Sequence, residues 1–82
     1  MKLKDTIVLM NSSEYKDRFK AEYFQLKNRI DGLTVMLQKY KAGTLPFIPT
    51  CPYELLNTQL SCMSMYALNL ETRAHLEEID LK

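Results

Sequence analysis

From Phe19 onward, apolar residues recur at Phe19, Tyr23, Leu26, Ile30, Leu33, Leu37 and Tyr40. The steps alternate between four and three. That spacing puts all seven side chains on one stripe of an α-helix and predicts a heptad seam. Just upstream, Asn11, Ser12 and Ser13 are good N-cap types, and Asn11 with Glu14 three residues on resembles a capping box. Gly43, just past the last seam residue, predicts a C-terminal stop. The first helix is therefore expected over 12–42. Gly32 is its weak point, at about 1 kcal/mol relative to Ala, and would permit a close helix crossing.

A second seam follows. Leu56, Leu60, Met63, Ala67, Leu70 and Ala74 step four, three, four, three, four. Pro52 suits the first helical position, where its missing N–H costs nothing. Glu54 then falls in the first turn, where the helix dipole favours an acid. The second helix is expected over 52–79. Between the helices, 43–51 forms a connector, and Pro46, Pro49 and Pro52 stand three apart along the path. Leu45, Phe47 and Ile48 give it apolar content, so it reads as an ordered element: a cap sealing the hairpin end or part of a contact surface. The opening residues, 1–11, read as a short helical arm that docks Ile7, Leu9 or Met10 on some surface. The fold class expected is all-α, an antiparallel two-helix hairpin with an N-terminal arm, forming one domain over 1–82.

Self-association follows from what the seams leave out. Phe24, Val35, Met36, Leu55, Met65, Leu68, Leu76, Ile79 and Leu81 are apolar and lie off both seams. A helix apolar on more than one side is buried on more than one side. A chain of 82 residues also has little core of its own. A homo-oligomer is expected.

Charge narrows the partner classes. Eleven basic and ten acidic residues leave a net charge of +1, which disfavours general nucleic-acid binding through phosphate neutralisation. The bases concentrate in the N-terminal half and the acids toward the far end, as suits antiparallel pairing. Cys51 and Cys62 match no zinc or redox spacing and read as buried, reduced thiols of a cytosolic protein. "TIVLM" is too short for a signal sequence, and no run reaches the ~20 apolar residues of a membrane span. No cofactor is implied. Enzyme chemistry finds no support: His75, the only histidine, reads as a surface residue, and no nucleophile set, phosphate loop or metal cluster is present.

Two polar stripes flank the seams: Tyr15, Arg18, Glu22, Gln25 and Arg29 on the first helix, and Gln59, Cys62, Tyr66, Asn69 and Arg73 on the second. One reading is a register-fixing ion network, Arg18–Glu22–Arg73–Glu77. The other is a site for an anion carrying an aromatic ring. Arginine forks match phosphate and aromatic faces stack on bases. On that reading the ligand-binding residues are Arg18, Tyr23, Arg29, Tyr66 and Arg73, with Phe47 as a lid from the connector.

The stretches "SSEYKDRFKAEYFQLKNR", "GTLPFIPTCP" and the spaced pattern "QL..M..Y...LETRA..E.I.L" together resemble a family of small helical proteins of bacterial viruses and prophages. That family is named after a crAss-like phage protein and also occurs in phages of Gram-positive bacteria. The resemblance spans about Asp5 to Leu81 and implies an accessory phage protein. Small phage proteins of similar size and helical build inhibit host immunity by soaking up nucleotide signals as oligomers, as the anti-CBASS and anti-Thoeris sponges do. By that analogy the chain is expected to sequester a cyclic nucleotide or ADP-ribose-type signal in the bacterial cytoplasm without cleaving it. The alternative expectation is an inhibitor or adaptor that binds a host defence or phage protein through its arm and connector.

Overall fold

The computed structural model describes all 82 residues and contains helices and no strands. A 3₁₀ turn over Leu3–Asp5 leads into α1, Thr6–Met10. The long helices are α2, Tyr15–Ala42, and α3, Tyr53–Leu76. Contacts between α2 and α3 run in reverse order. Tyr15 meets Glu77, Tyr23 meets Glu71, and Tyr40 stacks edge-on against Tyr53 with ring centroids 5.5 Å apart. The pair is an antiparallel hairpin, and α1 lies back along α2.

Every residue of both predicted seams is buried or half-buried. The tight end lies far from the connector. Phe19, Tyr23 and Leu26 of α2 pack with Ala67, Leu70 and Ala74 of α3, and Ile79 closes the cluster from the C-terminal tail. Leu70 has no exposed surface at all, a burial that stabilises by roughly 2–3 kcal/mol. Toward the connector the packing loosens. Ile30, Leu33, Leu56, Leu60 and Met63 are only half-buried, although Leu37 is covered.

The helix ends differ in detail from the sequence expectation. The Asn11–Glu14 capping box does not form. Ser12 does the work instead: its Oγ accepts from the Glu14 N–H at 3.0 Å and donates to the Asp17 carboxylate at 2.8 Å. At the other end of α2, Gly43 takes the left-handed conformation, φ 74°, and Thr44 N–H donates to the Lys39 carbonyl at 2.9 Å. This is a Schellman closure. α3 ends the same way with Glu78 in place of glycine. Glu78 has φ 57°, and Ile79 N–H donates to the Ala74 carbonyl at 2.8 Å. That closure is what swings Ile79 into the core.

The connector is less packed than its proline spacing implied. Leu45 and Pro49 are half-buried, but Phe47 is 54% exposed and Ile48 96% exposed. The prolines fix the backbone path without supplying a surface for Ile48. Both cysteines are free and exposed, which corrects the expectation of buried thiols. Gly32 is not at a close crossing either, because a Cβ built there meets nothing within 4 Å.

Two substitutions of opposite sense should therefore both stabilise the fold. Gly32→Ala removes a helix-interior glycine that nothing requires, and Glu78→Gly relieves a left-handed non-glycine residue. Each is expected to add about 1 kcal/mol, read as a higher urea midpoint at unchanged slope.

Candidate functional site

Halfway along the hairpin, where the alanines of α3 give way to Met63, a groove of about 350 Å³ opens between the long helices. Glu22, Gln25, Leu26 and Arg29 line it from α2, and Gln59, Met63 and Tyr66 line it from α3. The residues from α2 fall at helical spacing beside the seam, and so do those from α3. The seam forms the apolar floor, and the flanking polar stripes form the walls.

A second groove of about 430 Å³ adjoins the first, between the arm and α2. Leu3, Lys4, Thr6, Ile7 and Met10 line it from the arm, and Gln25 and Arg29 are shared with the first groove. The arm is held there by a relay of polar contacts. Gln25 Nε2 donates to Thr6 Oγ1 at 3.1 Å, and Thr6 donates in turn to the Leu3 carbonyl at 2.6 Å. Gln25 also touches the Met10 sulfur, and Asn28 donates to the Met1 carbonyl at 3.0 Å. Thr6 is the most buried residue of the arm, at 1% exposure.

Arg29 stands where the two grooves meet. The one ion pair in the chain is Arg73–Glu77 at 3.2 Å, so the Arg29 guanidinium has no acidic partner and keeps its donors free for an anion. Lys4 adds a second positive charge on the arm side. Glu22 places a carboxylate at the α2 wall of the first groove, again unpaired. Tyr66 is 43% exposed and offers a ring face at the α3 wall.

The other sequence candidates lie elsewhere. Tyr23 is in the core, 8% exposed, with its hydroxyl donating to Glu71 Oε2 at 2.6 Å. Its ring has no free face for a ligand. Burial, then the hydrogen bond to the Glu71 carboxylate, pushes its pKa up to about 12. Arg73 is occupied. It pairs with Glu77, donates to Tyr15 Oη at 2.9 Å, and lies 5.0 Å from the centre of the Phe19 ring. Tyr15 also donates to Glu77 Oε1 at 2.6 Å. This contact raises the Tyr15 pKa and lowers that of Glu77. Arg18 donates to the Ser12 carbonyl at 2.9 Å and joins neither Glu22 nor Arg73. The four-residue ion network is thus replaced by a Tyr15–Arg73–Glu77 triad that ties the start of α2 to the end of α3. Phe47 lines shallow hollows on the connector, beside Leu45 and Pro49 and beside Met36 and Leu56. Of the six candidates, only Arg29 and Tyr66 share a groove.

Lys4 was not visible as a site residue in the sequence. Its place depends on the arm folding back, and polar contacts from Gln25 and Asn28, among them one to the buried Thr6 hydroxyl, hold it there where an apolar-pattern reading passes over them.

A family model described as Sequestin matches residues 13–76, which include all of both long helices and the whole connector. The chain belongs to the Sequestin family. No curated protein and no solved structure matches it. The family name suggests sequestration, a role in binding. The matched segment of this Sequestin chain contains every residue lining the first groove. No group of three or more potential metal ligands is present, and no helix is long and apolar enough to cross a membrane.

Tyr23 gives a pH test. Its pKa is about 10 in the unfolded chain and about 12 in the fold. The neutral phenol is favoured by folding, so its contribution is complete below pH 10 and is lost as pH rises through 12. Tyr23→Phe should cost about 1 kcal/mol at pH 7. Between pH 10 and 12 its denaturation midpoint should fall less steeply than that of the unsubstituted protein.

Proposed function

We propose that the groove around Arg29 and Tyr66 binds a nucleotide-derived signal and withholds it without chemical change. The observation that carries this reading is an unpaired guanidinium beside an accessible tyrosine ring in a groove inside the Sequestin match. Arg29, with Lys4 next to it, would take a phosphate through charge-assisted hydrogen bonds. Tyr66 would stack on the base, while Gln25 and Gln59 meet its polar edge. Glu22 would accept from a ribose hydroxyl or an exocyclic amine, which makes a nucleotide a better fit than a bare phosphate. The first groove is near the lower size limit of small-molecule sites, and its continuation under the arm gives room for a second nucleotide unit.

On this reading the protein is a phage-encoded accessory factor in the cytoplasm of a bacterial host, where it blunts an immune response that relies on a cyclic nucleotide or ADP-ribose-type messenger. A homo-oligomer is part of the proposal, supported by the many exposed apolar side chains. A second reading has its own support. Val8 is 77% and Ile48 96% exposed, so the arm and connector could instead grip a host defence or phage protein.

Titration calorimetry against cyclic di- and trinucleotides and cyclic ADP-ribose isomers tests the first reading. Micromolar or tighter binding of one of them is expected, with the ligand recovered intact after denaturation. Arg29→Ala should weaken it about 10- to 100-fold at unchanged helicity. Absence of binding across the panel, with one stoichiometric protein recovered on the tagged chain, would favour the second reading.

A further inference from the structure

The two adjoining grooves differ in charge. The first carries Glu22 as well as Arg29 on its walls. The second carries Lys4 and Arg29, and the rest of its lining is apolar or neutral. Neither cation is spent inside the fold. The one ion pair is Arg73–Glu77, Asp5 next to Lys4 does not line the groove, and Lys4 and Arg29 are both exposed. Two positive charges thus share a groove that has no carboxylate on its walls. Their mutual repulsion is relieved when an anion lies between them.

Lys4 reaches this place through the seat of the arm on α2. Ala21, Gln25 and Asn28 step four and three, so they share one face of α2. Gln25 and Asn28 both bond to the arm. Ala21 is 1% exposed although it stands outside the core cluster shared with α3. A small side chain on that face lets α1 lie close. Lys4 belongs to the turn Leu3–Asp5, and the Leu3 carbonyl accepts from the buried Thr6 hydroxyl. Its backbone is therefore held while its side chain is free. The Sequestin match begins at residue 13, so Lys4 is a feature of this chain outside the matched residues.

We propose that Lys4 makes the site select ligands with two phosphates over ligands with one. This selectivity rests on the nucleotide reading of the first groove. Arg29, common to both grooves, takes the phosphate next to the base that Tyr66 holds. Lys4 takes the second phosphate in the arm-side groove through a charge-assisted contact. Glu22 lines the first groove alone, so a second phosphate is repelled there and favoured under the arm. A ligand with a single phosphate is satisfied at Arg29 and leaves Lys4 in water. A ligand with two engages both cations, and only that ligand loses affinity when the Lys4 charge is removed.

Lys4→Met keeps the apolar stem of the side chain and removes its charge. Calorimetry uses cyclic di-AMP and cyclic ADP-ribose, which carry two phosphates, and 3′,5′-cyclic AMP, which carries one. At least one two-phosphate probe should bind the unsubstituted protein more tightly than cyclic AMP does. Lys4→Met should weaken that probe about 10-fold and leave cyclic AMP unchanged, and Lys4→Arg should keep most of the affinity. Trypsin supplies a readout that needs no substitution: a saturating two-phosphate probe should slow cleavage after Lys4. If none of the three probes binds, the groove reading and this selectivity fall together. The selectivity alone falls if a probe binds but cyclic AMP is held as tightly as the other two. It also falls if Lys4→Met weakens all bound probes equally or none of them, or if trypsin cuts after Lys4 as fast with the probe as without it.

Discussion

Large side chains on one helix set against small ones on the other hold this molecule together. Phe19, Tyr23 and Leu26 project from α2 toward Ala67, Leu70 and Ala74 on α3. The two alanines make room for aromatic rings, so a contact of few residues excludes water completely around Leu70. A hairpin of two helices has no third layer behind it. Everything else, from the C-terminal tail that delivers Ile79 to the groove farther along, is arranged around this end.

The groove exists because that complementarity stops. Where α3 changes from alanine to Met63 and Leu60, both helices present bulk, and burial along the seam falls from complete to partial. Polar residues on the flanks can then reach the floor from both sides. The same region lies next to the arm, whose Thr6 anchors on Gln25. Arg29 is left as the one arginine of the stripe that no internal group occupies, since Arg18 serves the Ser12 carbonyl and Arg73 the Glu77 carboxylate.

The two seams could be read from spacing because each has at least six positions, and repetition outweighs local exceptions. The same holds for the glycine stop at Gly43. Single-residue chemistry was less legible. Tyr23 looked like a ligand ring but sits on the core side of the stripe, where its hydroxyl can be satisfied by Glu71. Arg73 and Glu77 are four apart and pair locally, and their link to α2 is Tyr15 rather than Arg18 and Glu22. The exposed cysteines were misread because thiols are commonly buried, whereas Cys62 falls on the polar stripe of α3 beside the seam and Cys51 on the connector. Ile48 was misplaced because proline fixes a path but not the surface beside it.

The arm has a kinetic meaning as well as a structural one. Residues 1–10 lie on α2 through a short polar relay centred on Thr6, with Ile7, Val8 and Met10 still facing water. Little apolar area is lost when such a segment lifts away, so it belongs to the parts of a fold that open locally, without global unfolding. The wall of the second groove is thus its least costly element to displace. On the proposed reading, a ligand would exchange under the arm while the long helices stay paired.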